Sequence, residues 1–109
     1  MSRYVLIESR DPFETGDVAY YFNLAADLAG QGDAVSVFLV QNGALAARKG
    51  IAGNPLEALL AKKVEVLLDT FSAAERGITD AERHPQVALS NVDALVASMM
   101  QDNTKVMWH

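Results

Sequence analysis

Without a single cysteine, the sequence has only acid–base and polar side chains with which to do chemistry. Disulfides, thiolate metal sites, iron–sulfur clusters and persulfide carriage are excluded for this chain. Asp69, which closes the apolar run Val64-Glu-Val-Leu-Leu68, is the first candidate. In a small dry cleft its carboxylate could serve as a general base or a hydrogen-bond acceptor. In the alternative it accepts N–H bonds from its own turn or caps a helical segment. Thr70 and Ser72 stand beside it. Two further apolar runs end in polar residues of the same kind. One leads into Glu8, Ser9, Arg10 and Asp11, the other into Gln41, Asn42 and Gly43. If these runs are parallel strands, such residues lie at the carboxyl ends, where open α/β sheets bind ligands. Arg10, Asp11, Asn42, Gly43, Asp69 and Thr70 therefore form the candidate cleft. Asn42-Gly43 could give a ligand contact with a close-approach glycine, or be turn chemistry alone.

Other residues carry weaker signals. Arg48 and Lys49 could meet an anionic ligand or an acidic partner, or complement the dipole of a last helical turn. The loop Gly50-Ile-Ala-Gly53-Asn-Pro55 precedes a helix, where phosphate could sit. No Gly-Lys-Ser/Thr follows it, and it lacks the GxGxxG fingerprint. The two histidines, His84 and His109, have no metal-ligand spacing, so neither a metal nor a cofactor is expected. No nucleophile-elbow pattern surrounds any serine, and Ser72 reads as a helix cap. Tyr20-Tyr21-Phe22 is too wide for one buried face, so Tyr20 should point elsewhere. Met99-Met100 should likewise divide between core and surface. Trp108 suits packing in a core or interface better than a ligand lid.

These residues need elements to position them, and the pattern supplies an alternation. Tyr4–Ile7 reads as a buried strand. Asp17–Ala29 has helical spacing, with Val18, Tyr21, Phe22, Ala25, Leu28 and Ala29 on one face. Thr15 or Asp17 can cap its start, and Gly30 and Gly32 stop it. Ala34–Val40 is a second strand, followed by a short helical turn over Ala44–Lys49. Asn54, Pro55 and Glu57 open a helix that turns Leu56, Leu59 and Leu60 inward. Val64–Leu68 is a third strand. Ser72-x-x-Glu75 predicts a capping box for a short helical turn stopped at Gly77. Val87–Leu89 is a brief fourth strand. Ser90-x-x-Asp93 opens a helix with Val92, Leu95, Val96 and Met99 on its buried side, and Lys105–Trp108 is a last strand. The order predicts parallel βαβ units with helices on both faces of one sheet.

Composition narrows the function. At 109 residues the chain is sized for one domain, and association would add to its small stability. Its net charge of −5 and scattered basic residues argue against nucleic-acid and anionic-membrane binding. The N-terminal apolar run is too short for a signal peptide, and no segment has transmembrane length. A cytoplasmic location is the default expectation.

The ordered set of motifs resembles one family along nearly the whole chain. It comprises Arg10-Asp11-Pro12-Phe13 with Gly16-Asp17, then Phe38-Leu39-Val40-Gln41-Asn42-Gly43 with Ala46–Gly50. Val64–Leu67 into Asp69, Ser72, Glu75-Arg76-Gly77-Ile78 and Lys105–Trp108 complete it. Together they resemble the DsrE/DsrF-like sulfur-relay proteins. The resemblance implies a three-layer α/β/α sandwich with a five-stranded parallel sheet, and assembly as a homo-oligomer, a trimer or hexamer. It also implies other sulfur-relay subunits as partners. The family's sulfur-carrying subunit places a cysteine just after the third strand, and the nearest equivalent here is Asp69. Neither Asp69 nor Ser72 can hold a persulfide.

Three functional readings follow. The first is an accessory member of the sulfur-relay family, a non-catalytic assembly or binding subunit. The second is a small-ligand binding protein or an enzyme using the strand-end cleft, which requires Asp11, Asn42 and Asp69 to converge. The third is a structural protein whose function is its assembly alone.

Overall fold

The computed structural model describes residues 2–109. Five strands form one wholly parallel sheet: β1 (Arg3–Glu8), β2 (Ala34–Leu39), β3 (Glu65–Asp69), β4 (Ala88–Ser90) and β5 (Thr104–Trp108). Their order across the sheet is β4-β3-β2-β1-β5. The chain therefore steps outward from β1 to β4 and then returns to the far side of β1. Right-handed crossovers place helices of the outward steps on one face and the helix of the return step on the other. This is the expected α/β/α sandwich.

The first face is thickly covered. Helix α1 (Asp17–Gly30) lays Val18, Tyr21, Phe22 and Ala25 on Leu6, Val37 and Leu39 of the sheet. Tyr20 points to solvent, as its spacing requires. Helix α2 (Leu56–Ala61) and helix α3 (Thr70–Glu75) complete this layer with Leu56, Leu59 and Ala73. Asn54 ties α2 down. Its amide donates to the Ala46 carbonyl at 2.8 Å, and its Oδ1 accepts from Leu56 N–H at 3.0 Å. Between β2 and α2 the expected helical turn is a 3₁₀ helix over Gln41–Ala47, earlier in the chain than the sequence pattern placed it.

The opposite face is thinly covered. Among the described residues only helix α4 (Val92–Met99) crosses it, and its contact is with Val5, Ile7, Phe38 and Val40 through Leu95 and Met99. The spacing of α4 assigned Val92 and Val96 to its buried side as well, but they are 55% and 50% exposed. A single short helix cannot cover five strands, so half of its apolar stripe meets no sheet. Of the two caps the sequence offered for α3, Asp69 and Ser72, Asp69 is the one used. At α4 the cap differs from the sequence reading: Asn91, not Ser90, accepts from Ala94 N–H at 2.8 Å.

Candidate functional site

The carboxyl end of β3 places Asp69 at the mouth of a cleft of about 430 Å³. Its floor is Ile7, Val40 and Leu95, and its rim includes Phe71, Val96 and Trp108. Phe71 and Trp108 are 68% and 67% exposed, so the apolar lining continues onto the outer surface. Val92, Val96 and Met100 of the α4 segment extend the same patch. The polar groups of the cleft are few: Gln41, Asp69, Ser72 and Glu75.

Three of those four are linked. Asp69 Oδ2 accepts from the Ser72 backbone N–H at 3.0 Å and from the Ser72 hydroxyl at 2.7 Å. That hydroxyl in turn accepts from Gln41 N–H at 2.8 Å. The end of β2 is thus fastened to the start of α3 through a buried hydroxyl. Asp69 is 6% exposed, and its hydrogen bonds satisfy donors at a helix start. Oδ1 takes no hydrogen bond from the described residues. The capping role foreseen for Asp69 is the one its geometry fulfils.

The remaining candidates lie elsewhere. Asn42 Oδ1 accepts from Arg76 Nη2 at 3.0 Å and Nε at 3.2 Å, while Arg76 Nη1 reaches the Ser72 carbonyl. Asn42 therefore holds α3 from outside the cleft. Gly43 is a close-approach glycine, but the group that approaches is the β1 backbone. A Cβ there would collide with the Glu8 carbonyl oxygen and lie 2.9 Å from its carbon. Asp11 Oδ1 accepts from Phe13 N–H at 2.9 Å in its own turn, and Arg10 and Thr70 are exposed. None of these five lines the cleft. Arg48 lies over the Phe13 ring at 5.9 Å, a cation–π contact.

On the other face of the sheet, Glu8 is wholly buried at the end of β1. It is bonded to His109, just beyond β5, and the Tyr21 ring stacks on that imidazole. Burial first, and then the Glu8 charge, hold the Tyr21 hydroxyl above its ordinary pKa. Sequence reading named Glu8 among the strand-end residues but did not pair it. The available signal was a charged residue closing an otherwise apolar strand.

The sequence pattern of the DsrE/DsrF-like family matches residues 2–108. Among solved structures, the ychN protein from E. coli superposes with a TM-score of 0.87 at 21% identity, over 100% of both chains. A protein of unknown function from Methanobacterium thermoautotrophicum, MTH1491, superposes with a TM-score of 0.77 at 14% identity, again over 100% of both chains. None of the curated proteins matches.

Proposed function

Since this chain belongs to the DsrE/DsrF-like family, we propose that it is a binding or assembly subunit related to intracellular sulfur transfer, with no thiol step of its own. The observation that carries the reading is the apolar patch around the cleft, formed by Phe71, Val92, Val96, Met100 and Trp108. A continuous apolar surface of this kind is characteristic of protein contact rather than of a free surface. In this reading copies of the chain cover one another there, as the trimers or hexamers expected from sequence. Asp69 supports the reading, because a charged helix cap stands where a sulfur carrier needs a nucleophilic thiol.

The test is mass measurement of the intact protein, alone and after pull-down from native lysate, followed by a sulfane-sulfur transfer assay with a cysteine-bearing partner. A closed oligomer that changes transfer or complex formation is expected. A strict monomer without effect on either would overturn the proposal. The cleft favours a second reading, a small apolar ligand held beside Asp69, because its volume and sparse polar groups suit one. A fluorescent apolar dye that binds the assembled protein with Trp108 quenched would support this reading. Binding confined to dissociated subunits would favour the first.

A further inference from the structure

The sheet reverses its direction of growth at β1, whose neighbours are β2 on one side and β5 on the other. Such a switch point is where open α/β sheets place their chemistry. Here it holds Glu8 and His109, 101 positions apart in the sequence. His109 Nδ1 lies 2.8 Å from Glu8 Oε1 and 3.1 Å from Oε2. The rest of the carboxylate's bonding is one N–H, from Arg10 at 3.0 Å to Oε2. No Lys or Arg side chain pairs with it. The imidazole is fixed from several directions. Its backbone N–H donates to the Ile7 carbonyl at 2.9 Å, and its carbonyl accepts from Ser9 N–H and the Ser9 hydroxyl. Tyr21 stacks on its ring with centroids 5.0 Å apart.

Where Glu8 is a carboxylate, which accepts hydrogen bonds and does not donate them, the contact requires the proton on Nδ1. In the neutral ring, Nε2 is then a lone pair. Nε2 has no hydrogen bond among the described residues, and it is not among their sealed polar atoms. His84 is held the other way round. Its Nδ1 accepts from Gln86 N–H at 3.1 Å, so its lone pair is occupied.

We propose that Glu8 and His109 form a proton-accepting site at the switch point. Nε2 of His109 takes the proton of a weakly acidic O–H or S–H group on a small protic ligand. Glu8 is the positioning residue: it fixes the tautomer and stabilises the imidazolium that results. The proton leaves the ligand for Nε2, Nδ1 keeps its own, and the positive charge lies against the carboxylate. Neither Glu8 nor His109 lines the apolar cleft.

Diethyl pyrocarbonate is the probe, with peptide mass spectrometry to separate the two histidines. Nε2 attacks a carbonyl carbon, the carbon–oxygen bond to ethyl carbonate breaks, and the Nδ1 proton passes to Glu8. His109 is expected to acylate at least about tenfold faster than His84. Glu8→Gln keeps the shape but removes the negative charge, so His109 is expected to slow several-fold while His84 is unchanged. Nitrogen-15 spectra of the unaltered protein give a second readout that needs no variant, and should show the Nδ1–H form for His109. An Nε2–H form, or equal acylation of both histidines, would overturn the proposal. A purely structural clasp would not produce the rate difference between Glu8 and Gln.

Discussion

Gly43 and Asp69 show how single residues decide the ends of the strands. Gly43 is buried beneath the Glu8 carbonyl, and no side chain larger than hydrogen fits there. Gly43→Ala should cost about 2 kcal/mol through overpacking, lowering the thermal midpoint by about 10 °C in a calorimetric scan. Asp69→Ala removes a cap and should cost about 1 kcal/mol, whereas Asp69→Asn, which still accepts from Ser72, should cost much less. Denaturant titration of the two variants separates the cap from the charge. Tyr21 sets an alkaline limit. Its folded pKa lies above the ordinary 10.0, so above about pH 10 the unfolded chain releases a proton that the folded chain keeps. Stability should therefore fall as pH rises through that range. Tyr21→Phe should make the fall shallower, while losing the bond to the Met107 carbonyl at lower pH. Of these residues, the capping role of Asp69 was readable from sequence, since a strand end followed by a helical turn calls for an acceptor. The pairing of Glu8 with His109 was not. It depends on the register of β1 with β5, which local pattern does not carry.

At the scale of elements, the two amphipathic helices make an instructive contrast. The spacing of α1 named Val18, Tyr21, Phe22, Ala25, Leu28 and Ala29; the first four are buried and the last two are half-buried against the same core. The spacing of α4 named Val92, Leu95, Val96 and Met99, and only Leu95 is buried, with Met99 half-buried. Both helices have an apolar stripe, but periodicity reports the stripe and not what lies against it. α1 packs beside α2 over the sheet, whereas α4 has no helix beside it among the described residues. Val96→Glu should therefore leave the fold intact, because the side chain is already half in solvent. It should break the proposed contact between copies, read as a shift to monomer mass with an unchanged circular dichroism spectrum. Strand identities were legible because their runs are short and apolar. The start of the 3₁₀ helix was not, because Gln41-Asn42-Gly43 looks like a simple break.

For the whole molecule, the asymmetry of the two faces is the main physical fact. One face is sealed by three helices and the other by a single short one. Among the described residues no helix is long and apolar enough to cross a membrane. If copies associate there, the folded state gains stability by mass action, and the thermal midpoint should rise with protein concentration. A midpoint constant over a hundredfold dilution would count against association through the patch.

The position of β1 also bears on how the protein is made. β1 can zip to β2 as soon as both have left the ribosome, but its second edge must wait for β5, where Arg3 finally meets Thr104. Throughout that delay an apolar strand offers unpaired backbone to any passing chain, and Glu8 has no imidazole to answer it. Nascent-chain vulnerability at this edge therefore ends only with the arrival of Lys105–Trp108.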